Sequence, residues 1–93
     1  MKKSFFEQLE ASCREKQSLL CVGLDPRFEH EDPQEAARST LERNRKVIEQ
    51  TLPYAACYKP NIAFYEAYGP AGLEVLRKTL ELIPGGTPVI LDA

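Results

Sequence analysis

Three short apolar runs, each closed by a charged residue, constrain this chain more than any other feature of it. They are Leu19-Leu20-Cys21-Val22-Gly23-Leu24 before Asp25, Tyr54-Ala55-Ala56-Cys57-Tyr58 before Lys59, and Pro88-Val89-Ile90-Leu91 before Asp92. None alternates polar with apolar residues, a pattern that suits strands buried on both faces. Between and before them lie stretches of helical period, so the order reads helix, strand, helix, strand, helix, strand. Connections of that length imply parallel strands joined by right-handed crossovers, and the fold class is α/β.

The helices announce themselves at their starts. Ser4-Phe5-Phe6-Glu7 has the spacing of a capping box, and Phe6, Leu9 and Cys13 follow at helical intervals, which predicts a helix over residues 4–16. Asp32-Pro33-Gln34-Glu35 supplies an N-cap, a proline at the first helical position and a glutamate at the third. The face of that second helix is Ala37, Leu41, Ile48 and Leu52, with Asn44 as a polar interruption. Arg38, Glu42, Arg43, Arg45, Lys46 and Glu49 fill most of the rest and read as a solvated face rather than a binding patch. Residues 62–68 suit a short helical turn. Gly69-Pro70 then opens a helix with Leu73, Leu76, Leu80 and Ile83 on its apolar face, and Pro84-Gly85-Gly86 stops it.

Ninety-three residues suit one domain at most. Twelve Lys and Arg against fourteen Asp and Glu leave a net charge of -2, which supports no dominant attraction to nucleic acid or to anionic lipid. No apolar run approaches the ~20 residues of a membrane span, and Glu7, Gln8 and Glu10 follow Phe5-Phe6 where a signal sequence would stay apolar. Cys13, Cys21 and Cys57 are odd in number and lack CxxC spacing, so the expectation is reduced thiols in a cytoplasmic protein. Three parallel strands make an incomplete sheet with both edges open and no cover after the third. The expectation is therefore a piece of a larger domain, truncated or cleaved after the third strand.

In parallel α/β architectures ligands gather at the carboxyl ends of the strands. Asp25, Lys59 and Asp92 occupy those three ends. The side-chain period of two puts Cys21 and Gly23, Ala55 and Cys57, and Ile90 on the same face, which would be a barrel's interior. A lysine between two aspartates stays protonated and can orient a sugar hydroxyl; the bland alternative is an ion-pair network closing the barrel top. His30, among Glu29, Glu31 and Asp32, has no second ligand at metal spacing and reads as a solvated loop residue. Cys21 and Cys57 could be cross-strand neighbours, with reduced packing favoured over a redox pair. The group Tyr54, Tyr58, Phe64, Tyr65 and Tyr68 reads as core and helix packing, and Gly85-Gly86 as a turn.

The same residues carry a resemblance. Leu20-Cys21-Val22-Gly23-Leu24-Asp25-Pro26, Tyr58-Lys59-Pro60-Asn61-Ile62-Ala63-Phe64-Tyr65-Glu66 and Pro88-Val89-Ile90-Leu91-Asp92-Ala93 closely resemble the mainly bacterial second type of orotidine 5'-phosphate decarboxylase, in the same order and along nearly all of the chain. The resemblance implies a (β/α)8 TIM barrel, with residues 1–93 as its N-terminal part: the first three strands and their helices. It implies conversion of orotidine 5'-monophosphate to uridine 5'-monophosphate and carbon dioxide, the last step of de novo UMP synthesis, without cofactor or metal. Asp25 would bind the ribose hydroxyls and Lys59 would bridge a ribose hydroxyl and Asp92, while Asp92 would lie beside the substrate carboxylate. Lys59 and Asp92 would be catalytic.

The family's proton-donating lysine begins a Lys-Arg-Gly-Asp continuation that comes after Ala93, and its phosphate site lies on later strands. The expectation is thus that this chain is inactive alone, docks with the remainder of the same barrel, and forms a homodimer when complete. Two alternatives stay open: a metal-dependent sugar-phosphate lyase or synthase of the same barrel superfamily, and a non-catalytic fragment that associates through open strand edges.

Overall fold

The computed structural model describes residues 4–25 and 32–91; Asp92, His30 and the loop around His30 lie outside the described residues. Helix α1 (Phe5–Lys16) starts where Ser4 Oγ accepts the Glu7 amide proton at 3.2 Å, and it ends at Gln17 in the left-handed conformation, φ 51°. Strand β1 (Cys21–Gly23) follows, then helix α2 (Pro33–Thr51), capped by Asp32 Oδ1 accepting from the Gln34 amide at 3.0 Å. Strand β2 (Cys57–Lys59), the short helix α3 (Ile62–Glu66) and helix α4 (Gly69–Leu82) complete the order.

β1 and β2 pair in parallel with Cys21 opposite Cys57, Val22 opposite Tyr58 and Gly23 opposite Lys59. The third apolar run joins on the other side of β2: Val89 forms a parallel bridge with Tyr58, whose amide donates to Pro88 O at 3.1 Å while its carbonyl accepts from the Ile90 amide at 2.8 Å. The three runs are therefore adjacent and parallel, in chain order. They are shorter as strands than as apolar stretches. Tyr54 and Ala55 both donate to Thr51 O at 2.8 Å, so the chain stays wound in a turn beyond α2 and becomes extended only at Cys57. Ala55 consequently packs on the helix side, with Ile48 and Leu24, and not on the Cys57 face that a longer strand would give it.

One face of the sheet carries the core. Val22, Leu24, Tyr58 and Val89 pack against Val47, Ile48, Leu52, Leu80 and Ile83 of the covering helices. A second cluster, Tyr65, Val75 and Leu76 with Ala37, Leu41 and Ile62, fills the space among α2, α3 and α4. Helix α1 docks through polar bonds instead of its apolar residues: Ser12 Oγ donates to Ala56 O at 2.7 Å and Lys16 Nζ to Leu52 O at 2.6 Å, while Phe6 stays 80% exposed. On α2 the charged face is solvated as expected, with Arg45 bridging Glu42 and Glu49. Such exposed pairs stabilise by about 0–1 kcal/mol each.

Helix α4 packs through Leu76, Leu80 and Ile83 as its period suggests, but Leu73 departs from that face. Gly72, Val75, Leu76 and Thr79 are buried, whereas Leu73 is 45% exposed. The cause is the approach of α3: a Cβ on Gly72 would lie 2.0 Å from the Tyr65 carbonyl oxygen. Backbone cannot give way as a flexible side chain can, so a glycine here sets how close the two helices come. Gly72→Ala should lower stability by about 1–3 kcal/mol through overpacking, despite alanine's better helix propensity. A urea midpoint equal to or above that of the native protein would contradict this packing.

Candidate active site

The loop ends of β1 and β2 are stitched together by three hydrogen bonds. The Leu24 amide donates to Lys59 O at 3.3 Å, extending the ladder one residue past β1. The Leu24 carbonyl accepts from Tyr65 Oη at 2.6 Å, in a fully buried contact. The Asn61 amide donates to Asp25 Oδ1 at 3.2 Å. Asn61 itself caps α3, its Oδ1 accepting from the Ala63 amide at 3.0 Å. Pro60, which lacks an amide proton, is buried between the strand and this cap.

The result is that Asp25 and Lys59 both lie exposed at the carboxyl ends of adjacent parallel strands, with Lys59 in register with Gly23, two residues before Asp25. Asp25 folds back over its own strand, with Oδ2 3.5 Å from the position a Cβ would take on Gly23. Lys59 follows Tyr58, whose ring is buried among the helices, so the strand pleat turns Lys59 to the opposite face. Cys21, Gly23, Asp25 and Lys59 thus line the open face of the sheet. Asp92, the third residue singled out from the sequence, lies outside the described residues. Among the described residues no group of three or more His, Cys, Asp or Glu side chains is placed to hold a metal ion.

Two residues at this site were not singled out from the sequence. Asn61 had a signal, since an asparagine just before a short helix is a favoured N-cap. Tyr65 had none beyond its place in an aromatic group read as packing; it is fully buried, as is Tyr58, whereas Tyr54 and Phe64 of the same group are exposed.

Lower on the open face, Cys21 and Cys57 are register partners and both are free thiols, as is Cys13. Cys21 is exposed; Cys57 is buried. Burial first, then a hydrogen bond that the Cys57 thiol donates to Cys21 and the nearby Cys21 and Cys13 groups, push the Cys57 thiol up to about 12. The Cys57 thiol thus stays protonated at pH 8, whereas the thiolate is the reactive form. Iodoacetamide at pH 8 should therefore alkylate Cys21 of the folded 93-residue chain well before Cys57, and denaturant should erase the difference. Peptide mapping that finds Cys57 labelled first in the folded chain would contradict the placement.

Parallel strands in chain order with helices between them, and charged groups at the carboxyl ends of β1 and β2, make this a parallel α/β arrangement with its candidate site at the strand ends. No family model matches the chain. Individual proteins do. It is 45% identical over 96 residues to the orotidine 5'-phosphate decarboxylase of Thermomicrobium roseum, covering 97% of this chain and 33% of that protein. To that of Dehalococcoides mccartyi it is 46% identical over 91 residues, covering 96% of this chain and 32% of the other. Among solved structures, Leishmania donovani OMP decarboxylase superposes with a TM-score of 0.80 at 41% identity, covering 98% of this chain and 33% of that one. Leishmania donovani UMP synthase does so with a TM-score of 0.82 at 40% identity, covering 99% of this chain and 19% of that one. Along nearly its whole length, then, the chain is similar to orotidine 5'-phosphate decarboxylases, and its helices, its parallel strand pair and the run bridged to it superpose on part of such a barrel. The chain spans about a third of the length of the decarboxylases it matches.

Proposed function

We propose that the complete protein to which this chain belongs is an orotidine 5'-phosphate decarboxylase, releasing carbon dioxide from orotidine 5'-monophosphate to leave uridine 5'-monophosphate. The observation that carries this reading is the placement of Asp25 and Lys59 on one open face, at neighbouring strand ends, in a chain 45% identical to a decarboxylase of that name. In this reading residues 1–93 are the N-terminal part of a single barrel. The remainder of the barrel completes it, a second copy makes a homodimer, and the enzyme is cytoplasmic. No helix among the described residues is long and apolar enough to cross a membrane.

The chemistry follows from charge. Breaking the carbon–carbon bond leaves the electron pair on the pyrimidine ring carbon, carbon dioxide departs, and a proton must reach that carbon. A fixed ammonium aimed at it stabilises the developing charge in a site shielded from water. The donor is assigned to a lysine following Ala93 in the complete chain. Asp25 binds the ribose hydroxyls, and Lys59 joins a ribose hydroxyl to Asp92. Asp92 lies beside the leaving carboxylate, with two roles open to it: repelling that carboxylate, or holding the neighbouring lysines in place. Binding energy from the ribose, remote from the bond that breaks, is then available to lower the barrier.

In the full-length protein, Lys59→Ala should reduce kcat/KM for orotidine 5'-monophosphate by about 100-fold or more. The same change should cost activity more than stability, because the carboxylates that Lys59 separates then repel and disturb substrate positioning. A folded variant with kcat/KM within twofold of native would remove Lys59 from the site.

The 93-residue chain assayed alone should show no loss of orotidine monophosphate absorbance above background. Mixing it with the remainder of the barrel as a second polypeptide should restore turnover if the open strand edges dock. Turnover by the pure 93-residue chain would contradict the assignment of the proton donor.

A further inference from the structure

The strand end that carries Asp25 is held from behind by a buried polar relay that the reaction chemistry alone does not call for. Tyr65 Oη donates to Leu24 O at 2.6 Å and accepts from Asn44 Nδ2 at 3.1 Å. The same Asn44 nitrogen donates to Thr79 Oγ1 at 2.9 Å. Tyr65 and Thr79 are fully buried and Asn44 is 3% exposed, so these bonds meet no competition from water. One residue each from α2, α3 and α4 thereby converge on the carbonyl immediately before Asp25.

The geometry points to Tyr65 as a positioning residue for Asp25, acting through the Leu24 carbonyl. β1 ends at Gly23, so Leu24 O lies beyond the paired residues and takes its bond from α3 instead. The Leu24–Asp25 peptide plane is the last rigid unit before the Asp25 side chain, and its orientation sets where the carboxylate points. Helix α3 grips Asp25 twice: Tyr65 fixes the preceding carbonyl, and the Asn61 amide holds the carboxylate. Burial pushes the Tyr65 hydroxyl up to about 12, a shift that the Asn44 bond opposes and the nearby Asp25 charge reinforces. The phenol is therefore a fixed donor across the neutral range. The functional consequence rests on the reading of Asp25 as the ribose contact: the relay would set affinity for ribose-bearing ligands and discriminate against deoxyribose, while the bond-breaking step stays with the lysines.

The test uses the full-length protein with Tyr65→Phe, Thr79→Val and Thr79→Ser. The probes are uridine 5'-monophosphate and its 2'-deoxy and 3'-deoxy analogues, with Kd read by calorimetry. Tyr65→Phe should weaken uridine 5'-monophosphate about tenfold but weaken the analogue lacking the Asp25-bound hydroxyl less than twofold. The native penalty for removing that hydroxyl therefore shrinks. KM should rise more than kcat falls. Thr79→Val should shift the penalty in the same direction by less, and Thr79→Ser, which keeps the hydroxyl, should behave as native. If Tyr65→Phe fails to fold, the Thr79 pair decides. Equal weakening of parent and deoxy ligands would overturn the proposal, since lost stability or general loosening does that. If the native protein binds parent and deoxy ligands alike, the ribose reading of Asp25 is what fails. Hydrogen exchange at the Asn61 amide then decides on Tyr65 alone: about tenfold faster exchange in Tyr65→Phe upholds its hold on Asp25, and unchanged exchange overturns it.

Discussion

The peptide group at Leu24 is the point on which the rest of the arrangement depends. Its amide donates across the sheet to Lys59 and its carbonyl accepts from a buried tyrosine, so one residue joins both strands to the helical layer. Each such bond contributes only about 1 kcal/mol net, but leaving a buried carbonyl without a partner costs about 1–3 kcal/mol. That asymmetry keeps the register of β1 against β2 and the direction of the chain at Asp25 coupled. Moving either strand by one residue would put Lys59 opposite a different residue and leave Tyr65 without its acceptor.

The two faces of the sheet divide the work. Tyr58 is fully buried, its hydroxyl paired with Thr51 Oγ1 at 2.9 Å, and it anchors β2 to the end of α2. The next residue, Lys59, is therefore turned out toward the face that carries Asp25 and Gly23. This alternation is the physical reason a short parallel strand can be both a core element and a platform for charge. The tight seat of Gly72 against Tyr65 plays the matching part on the helical side, because the closeness of α4 to α3 brings Thr79 within reach of Asn44, and Asn44 within reach of Tyr65.

Much of this was legible in the sequence, for identifiable reasons. Asp32-Pro33 and Ser4 marked helix starts because capping is local chemistry, and the parallel order followed from the spacing of the apolar runs. Asp25 and Lys59 stood out because a charge that closes a buried apolar run sits where the loops of a parallel sheet converge on a ligand. What stayed hidden depends on distant partners. Leu73 read as core by periodicity along with Leu76, Leu80 and Ile83, yet it alone of the four is exposed, while Gly72 at the neighbouring position takes the close approach of α3, which no local pattern encodes. Phe6 recurs with Leu9 and Cys13 at helical intervals, yet it is exposed and α1 docks through Ser12 and Lys16. Asn44 read as a flaw in an apolar stripe, whereas it is the middle of a relay whose other members lie 21 and 35 residues away along the chain. Ala55 reads as facing with Cys57 but packs on the helix side, because the turn after α2 runs longer than the apolar composition suggests.

The central claim is that the Leu24 junction presents Asp25 and Lys59 together, from adjacent strand ends, to the ribose of a pyrimidine nucleotide. The most direct measurement is a crystal structure of the full-length protein with uridine 5'-monophosphate bound. The account predicts the Asp25 carboxylate and the Lys59 ammonium within about 3 Å of ribose hydroxyls, at ordinary hydrogen-bond length, with Tyr65 Oη still on Leu24 O. A nucleotide bound away from these strand ends, or Lys59 directed into the helical layer, would contradict it.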